Sequence, residues 1–400
     1  MSVLSNFEES IRSLFGANRK GGYNFGNQVI NGSTQFNRYS QDKEKLSAAL
    51  SNPALLKVLS IQCDLFSIAK FKVKDRQGND IENDPFLKWI DSPNPLQTGQ
   101  QFLWDFMFWE MLGNAYIYTN SRLIESPLNI CYLLEPRKID FPISLEREKD
   151  KLIFSESKLK SIMSTELTYR YEDGTYFKFP LEKLIVSNDL TNGVGNWYKG
   201  PSKIDALYKI ISNSEFTLDS KNINLRLSQK FMVGSNRTID GMGLTQPEKD
   251  DLKYKILDDG NQIYPTSSMA QIQRFVEDFQ KLRLSENYLD EYFLIGNMYN
   301  IPRDVLEAYQ SSTFENQEKA RGSHVSYTLE PKGEEFCNHF EKHFRYKDDE
   351  KQIQMSWNHL PFMQVFEKDF AEKDNIKAET MKILVENGIP LKEARDIVKL

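Results

Sequence analysis

Two long stretches of the chain, residues 202–231 and 267–299, have helical periodicity but too little apolar surface to be buried as isolated helices. The second repeats apolar side chains at steps of three, four and seven, the spacing of a single helix stripe. These side chains are Ile272, Phe275, Phe279, Leu282, Leu289 and Phe293. This pattern predicts a long amphipathic helix with one packing face.

The first stretch predicts a helix that packs on two sides. At about 100° per residue, two apolar stripes fall on roughly opposite faces. One stripe contains Ile204, Leu207, Ile211, Leu218 and Leu225, and the other contains Phe216, Ile223, Leu227 and Phe231. A helix of thirty residues is about 45 Å long. We therefore expect the two stretches to form a projecting stem that packs against copies of itself.

Residues 45–190 predict a mixed α+β domain, with helices first and antiparallel strands after them. Asn52 precedes a proline and should leave the helical region, whereas Thr98 with Gln101 should cap an aromatic helix at 99–112. Gly113 should stop that helix. The predicted strands are 70–74, 115–119, 128–134, 167–171, 176–179 and 184–187, with a hairpin turn at 173–174.

The two ends of the chain give simpler patterns. Residues 1–44 are rich in Asn, Gly, Ser and Gln and predict a flexible arm, with order beginning near Lys45. Residues 316–344 should be helical with a break at 329–333. A strand at 353–357 and two helices on either side of 387–390 should complete the chain.

Composition narrows the class of protein. The 400 residues are 40% hydrophobic and 27% charged, enough for two or three cores. No apolar run is long enough to cross a bilayer, and the first residues include acids, so we expect a cytoplasmic chain. The three cysteines are far apart and should be reduced and buried. The net charge of −6 and the lack of a basic block argue against a tight grip on nucleic acid.

The motifs that could carry chemistry are weak. Gly193, Gly195 and Gly200 do not have phosphate-loop spacing. A second candidate is the group Cys337, His339 and His343, where two histidines share a helix face that could bind a transition metal. A charged surface with one buried thiol explains the same pattern. Adjacent acids at 250–251, 258–259 and 348–349 are typical of solvated surface. We therefore predict no metal, no cofactor and no enzymatic activity.

The order of the elements resembles the portal proteins of tailed bacteriophages, of the long-tailed type. The resemblance rests on SPNPLQTGQQFLWDFMFWEMLGNAYIY, GNWYKGPSKIDALYKII, QRFVEDFQKLRLSENYLDEYFLIGNMYNIPRDVL and SSTFENQEKARGSHVSYTLEPKGEEFCNHFEKHF, and it covers about residues 50–345. Its matching positions are an Asn-Pro loop, the end of the aromatic helix, a glycine that opens the stem, a proline stop, and a Thr-aromatic segment that leads to Leu-x-Pro. In this chain they are Asn94–Pro95, 113–116, 200–202, 299–302, 313–318 and 329–331.

The resemblance implies a portal-like α+β architecture with named regions. These regions are a flexible arm at 1–44, a wing at 45–200, a first stem helix at 201–231, a clip at 232–266, a second stem helix at 267–300, a channel loop with a wing helix at 301–344, and a short crown at 345–400. The short tail makes a large crown or barrel unexpected.

The resemblance also implies a function and a set of site residues. The chain would form a homo-oligomeric ring, expected to be a dodecamer, at one capsid vertex of the virion. It would be assembled in the host bacterial cytoplasm, without contact to a membrane. Its partners would be the large terminase subunit, a head-tail adaptor, the major capsid protein and double-stranded DNA passing non-specifically.

Three groups of residues would carry this function. The channel loop would be Tyr309, Gln310, Ser311, Ser312 and Thr313. The subunit contacts in the stem would be Leu218, Ile223, Leu227, Phe279 and Leu282, and the clip would dock the terminase through Arg237, Leu244, Leu252 and Ile256. The alternatives are a cytosolic metal- or nucleotide-dependent enzyme and a minor capsid protein without a channel.

Overall fold

The structure is a computed structural model. It describes residues 42–122, 130–148, 151, 153–190, 197–227, 231–235, 247, 270–274, 284–306, 314–346 and 350–386. Most of the predicted arm therefore lies outside the described residues. Helix α1, at Asp42–Ser51, begins three residues before the predicted start of order at Lys45.

The described chain is a mixture of helices and short antiparallel sheets, which confirms the predicted α+β class. The further helices are α2 Pro53–Ser67, α3 Pro85–Asp91, α4 Gly99–Met111, α5 Ile143–Glu146, α6 Glu156–Met163, α7 Lys203–Leu227, α8 Leu284–Met298, α9 Arg303–Leu306, α10 Phe314–His324, α11 Glu330–His343 and α12 Pro361–Glu386. The strands are β1 Lys70–Lys74, β2 Asn114–Thr119, β3 Cys131–Leu134, β4 Ile139–Asp140, β5 Glu166–Arg170, β6 Tyr176–Pro180, β7 Leu184–Asn188, β8 Phe231–Ser235, β9 Ala270–Arg274 and β10 Gln352–Ser356.

These strands form four small sheets with the orders β1-β10, β3-β2-β7, β4-β5-β6 and β8-β9. Every pairing is antiparallel. The predicted hairpin turn is confirmed, because β5 and β6 pair around Gly174, whose φ of 85° favours glycine.

The larger core is built around buried aromatic rings from α2, α4 and α11, and is termed here the aromatic core. The rings of Phe106 and Phe336 meet edge to face at 4.8 Å, and Phe66 lies beside both. Trp357 is fully buried and donates a hydrogen bond from Nε1 to the Leu65 carbonyl at 2.7 Å. A buried N–H requires an acceptor, and here the acceptor lies on α2. The hydrogen bond therefore ties the segment after β10 to α2.

The second core lies under the sheet β4-β5-β6. Tyr116 on β2, Leu167 on β5 and Phe179 on β6 are buried there. The Tyr116 hydroxyl donates to the Tyr198 carbonyl at 2.7 Å. The strand region is thereby tied to the segment that leads into α7.

Local signals around α2 and α4 set their ends as predicted. Asn52 is extended, with φ −89° and ψ 112°, and its side chain caps α2 by accepting from the Leu55 N–H. Thr98 and Gln101 form the complete capping box of α4. Gly113 follows α4 with φ 128°, a conformation that favours glycine.

The predicted break at 329–333 is wrong. The chain runs from α10 through one π-helical turn, Val325–Leu329, directly into α11. Pro331 lacks an N–H and its ring would collide with the carbonyl four residues earlier in a regular helix. A wider π turn before the proline leaves room for the ring, so the helix continues instead of breaking.

The second long stretch is not one helix from residue 267. Ala270–Arg274 is strand β9, paired with β8 so that Ile272 lies opposite Val233, and α8 begins at Leu284. Phe231 likewise belongs to β8 instead of the end of α7. A short segment that alternates apolar and polar side chains, such as 270–274, fits a strand as well as a helix. Pairing with a partner strand decides between the two structures.

The C-terminal prediction is confirmed as far as the structure describes it. Strand β10 pairs with β1, and α12 follows it. The second predicted helix, after 387–390, lies outside the described residues.

Gly99 tests the packing of α3 against α4. A Cβ at Gly99 would lie 2.1 Å from the Ile90 carbonyl oxygen, a backbone atom that cannot move without shifting α3. We expect Gly99→Ala to lower the free energy of unfolding by about 1–3 kcal/mol, as overpacking does elsewhere. Urea unfolding measures it.

Gln100→Ala, at the next and exposed position of the same helix turn, is the matched control and should stay within about 0.5 kcal/mol. Equal stability of Gly99→Ala and the unmodified protein would contradict this packing.

Candidate functional site

Helices α7 and α8 lie in the two stretches predicted to form a stem and are termed here the stem helices. They are joined to the aromatic core where α7 begins and where α8 ends. The Ser202 hydroxyl accepts from the Ile204 N–H at 3.2 Å and caps α7. Ile204, Leu207 and Ile211 are buried. One of the two predicted stripes of α7 thus packs within its own chain.

The opposite side of α7 remains uncovered. Phe216, of the second stripe, is 50% exposed, whereas Leu218 is a half-buried member of the stripe that packs within the chain. On α8, Leu289 and Leu294 are 47% and 49% exposed. Large apolar side chains exposed on both stem helices are typical of a surface that another chain covers.

The predicted stem contacts are therefore only partly placed. Leu218 lies on α7, and Ile223 and Leu227 belong to its last two turns. Phe279 and Leu282 lie outside the described residues.

Two of the polar contacts between α7 and α8 are long. Thr217 Oγ1 donates to Glu291 Oε2 at 3.5 Å, and Lys221 Nζ donates to Ser285 Oγ at 3.4 Å. Nearer the core, Asn52 Nδ2 donates to Ser214 Oγ at 2.7 Å in a buried site. The cap of α2 is thus also a cross-link to α7.

Both stem helices meet the aromatic core at a buried group of charges, termed here the stem-root cluster: Glu110, Asp189, Lys203, Lys332 and Glu335. Lys203, the first residue of α7, lies 2.8 Å from Asp189 Oδ1. Lys332 Nζ on α11 lies 2.5 Å from Glu110 Oε1, 3.7 Å from Asp189 Oδ1 and 3.4 Å from Glu335 Oε2. The Glu110 and Asp189 side chains are each only 2% exposed.

Burial dominates the electrostatics of this cluster. It raises the pKa of Glu110 to about 7, against the opposing attraction of Lys332. Burial alone would lower the pKa of Lys332, but Glu110, Glu335 and Asp189 together raise it. Lys332 is therefore charged at neutral pH.

The end of α8 is fixed beside this cluster by Tyr299. Gln62 Nε2 donates to its carbonyl at 2.6 Å, and its own hydroxyl donates to the Met111 carbonyl at 3.1 Å. The next residue, Asn300, has φ 57°, and its carbonyl lies 3.0 Å from His324 Nδ1. The start of α7 and the end of α8 are thus both attached to the core beside the stem-root cluster.

The group Cys337, His339 and His343 is not arranged as a metal centre. Cys337 is buried, and burial raises the pKa of its thiol. His343 Nε2 lies 2.6 Å from Thr119 Oγ1, whereas His339 Nε2 lies 3.9 Å from Glu335 Oε1. Within the described residues, no three His, Cys, Asp or Glu side chains form a group that could hold a metal ion.

Gly200 has a packing role. Its N–H donates to Asn114 Oδ1 at 2.7 Å, and a Cβ there would lie 2.7 Å from the Leu190 carbonyl oxygen. Asn114 thereby occupies the backbone N–H that a phosphate would need. Gly193 and Gly195 lie outside the described residues, as do the adjacent acids at 250–251, 258–259 and 348–349.

The remaining predicted site residues also lie outside the part of the chain that the structure describes. They are Tyr309, Gln310, Ser311, Ser312 and Thr313 of the channel loop, and Arg237, Leu244, Leu252 and Ile256 of the clip. The stem-root cluster, by contrast, was missed by the sequence analysis. Its members come from four segments between residues 110 and 335, so no local pattern marks them.

No protein-family model and no curated protein matches the chain. Solved structures do match. A chain of the neck of an empty gene transfer agent (GTA) particle, computed with C6 symmetry, has a TM-score of 0.59 at 11% identity, over 87% of this chain and 94% of that one. A chain of the native GTA neck, computed with C12 symmetry, has a TM-score of 0.56 at 10% identity, over 88% and 95%.

An HK97-family phage portal protein from Corynebacterium diphtheriae also matches. Its TM-score is 0.50 at 10% identity, over 80% of this chain and 96% of that one. The resemblance to tailed-phage portal proteins is thus confirmed at the level of the fold: the described chain has a portal-like α+β architecture.

His343 makes folding sensitive to acid. Burial, followed by the nearby charge of Arg122, lowers its pKa to about 4, below the usual value of about 6.5. The unfolded chain therefore takes up the proton first as pH falls. The contribution of His343 to stability is complete above about pH 6.5 and is lost between 6.5 and 4, by up to about 3 kcal/mol. We expect His343→Gln, which can still donate to Thr119, to lose less stability over this range in urea unfolding.

His359→Gln is the control, because His359 is exposed and its replacement should alter the pH profile little. If His343→Gln and the unmodified protein lost equal stability between pH 6.5 and 4, His343 would not be the group responsible.

Proposed function

We propose that this chain is a portal protein: copies form a ring at one capsid vertex, and the stem helices surround a channel through which DNA is packaged and ejected. The carrying observation is the set of large apolar side chains exposed on α7 and α8, namely Phe216, Leu289 and Leu294, on a chain whose fold matches necks and a portal protein. In a ring, each stem helix has a neighbour to cover these side chains. The C12 symmetry of one matched neck supports a dodecamer.

The proposed partners follow from this role. The clip at 232–266, with Arg237, Leu244, Leu252 and Ile256, would dock the large terminase subunit during packaging, and a head-tail adaptor would replace it afterwards. The wing would contact the major capsid protein. The chain itself would be non-enzymatic, with ATP hydrolysis supplied by the terminase.

The proposed location is the virion, after assembly in the host cytoplasm. None of the helices in the described ranges is sufficiently long and apolar to pass through a bilayer. The net charge of −6 suits a conduit, because a polyanion moves past an acidic wall without counterion-releasing contacts that must be broken at each step.

Ring assembly tests the proposal directly. Negative-stain images of the purified chain should show closed rings with a central hole. Leu218→Asp and Ile223→Asp should reduce the ring fraction at least tenfold, because each introduces an unpaired charge at a subunit contact. Light scattering measures the loss.

Asp219→Ser, at an exposed and already charged position between the two stripes of α7, is the control and should assemble normally. A monomer in images of the unmodified protein would favour a minor capsid protein without a channel. Intact rings from both aspartate variants would refute the two-sided packing of α7.

The channel loop makes a separate prediction. Gln310, Ser311 and Ser312 are uncharged and would touch the DNA backbone only weakly. Replacing all three with lysine should leave rings intact but slow packaging severalfold at low salt, and added salt should relieve the effect. A packaging assay with purified terminase measures it.

The neutral triple variant Gln310→Asn, Ser311→Thr and Ser312→Thr is the control. Packaging by the lysine variant at the unmodified rate in low salt would show that this loop does not meet the DNA.

A further inference from the structure

The stem-root cluster joins four segments of the chain at one buried point. Glu110 lies on α4, Asp189 follows β7, Lys203 begins α7, and Lys332 and Glu335 lie on α11. Tyr299, at the end of α8, borders the same site, with Lys203 Nζ 5.3 Å from its ring centroid. Any change in the charges here therefore acts on the ends of both stem helices.

The charges of the cluster do not balance when every group is ionised. Lys203 and Lys332 supply two positive charges, and Glu110, Asp189 and Glu335 supply three negative ones. Lys45 and Asp205, 3.3 Å apart, neutralise each other nearby. His339, 3.9 Å from Glu335, adds no charge at neutral pH because burial lowers its pKa. One added proton brings the cluster to neutrality.

Glu110 is the group that takes this proton. Its side chain is 2% exposed, whereas the side chain of Glu335 is 36% exposed and its charge is partly solvated. Asp189 has two ammonium groups beside it, Lys203 Nζ at 2.8 Å and Lys332 Nζ at 3.7 Å. An uncompensated charge costs most where water is excluded, so the proton binds at Glu110.

A neutral Glu110 also frees Lys332 for the stem. The ammonium then has Asp189 and Glu335 as its charged partners, and Asp189 Oδ2 is a buried acceptor with no hydrogen-bond partner among the described residues. A cavity of about 220 Å³, lined by Asp189, Lys203, Tyr299 and Lys332 among others, gives the side chain room to turn. Lys332 would then reinforce the Asp189–Lys203 pair at the start of α7.

We propose that the stem-root cluster is a proton-binding site, and that one proton taken up by Glu110 tightens the attachment of both stem helices to the aromatic core. Burial raises the pKa of Glu110 to about 7, above its usual value of about 4.5 in an exposed chain. The cluster therefore binds the proton while α7 and α8 are attached to the core and releases it when they detach. Attachment weakens as pH rises from about 4.5 to 7, and it levels off above 7.

Two measurements on the full-length chain test this site. Infrared difference spectra should show the stretch of a buried protonated carboxyl group that disappears on titration near pH 7 and is absent from Glu110→Gln. Hydrogen exchange at residues 203–211 and 295–301 should speed up by at most about tenfold per pH unit between 4.5 and 7, after correction with an unstructured peptide.

Two variants distinguish titration of the stem-root cluster from titration of other groups in the protein. Glu110→Gln mimics the neutral acid, so its corrected exchange should not change between pH 5 and 8. Glu335→Gln removes one negative charge, so the remaining charges balance with Glu110 ionised and the carboxyl titration should move to lower pH. Because Glu335 is partly exposed, this variant should fold even if Glu110→Gln does not.

Glu156→Gln, which removes one negative charge from the exposed Glu156–Lys160 pair on α6 and leaves the cluster and the Lys45–Asp205 pair in place, is the control and should keep the unmodified titration. The proposal is overturned if no carboxyl group titrates near pH 7, if Glu110→Gln keeps the pH dependence of exchange, or if Glu335→Gln leaves the titration unmoved. None of these measurements requires a ring or DNA, so failure of the portal function would leave them unaffected.

Discussion

The stem helices depend on one constraint: both are attached to the aromatic core, α7 where it begins and α8 where it ends. Burial of Ile204, Leu207 and Ile211 supplies the apolar part of that anchor. The Tyr299 hydroxyl and the Asp189–Lys203 pair supply its polar part. Buried ion pairs add little net stability compared with apolar packing, but breaking one is costly because the remaining charge loses its partner. The root therefore fixes the geometry of the stem more than it stabilises the fold.

Away from the root, α7 and α8 pack along each other. Thr217 with Glu291 and Lys221 with Ser285 are two long polar contacts between them. Phe216 and Leu289 remain about half exposed. In the proposed ring, neighbouring subunits would cover these side chains and order the helix pair further. The stiffness of the stem would thus be a property of the assembly, while its direction is set within each chain.

Much of the fold could be predicted because its signals are local. Thr98 with Gln101, Gly113 and Gly174 each specify a helix end or a turn within a few residues, and the structure shows them as predicted. Two predictions failed where a distant contact or a rarer geometry decided the outcome. The period of 270–274 is settled by its partner strand β8, and Pro331 is accommodated by a π turn that a proline rule does not foresee.

The candidate site likewise has one part that local signals predict and one part that they do not. The exposure of Phe216 could be predicted, because it lies on the second apolar stripe of α7, while Ile204, Leu207 and Ile211 of the first stripe are buried within the chain. The stem-root cluster could not be predicted, since Glu110 and Lys332 are 222 positions apart and each looks like an ordinary surface charge in its own segment. Only folding brings them to 2.5 Å and removes the water around them, and that loss of water makes the protonation of Glu110 matter to the stem.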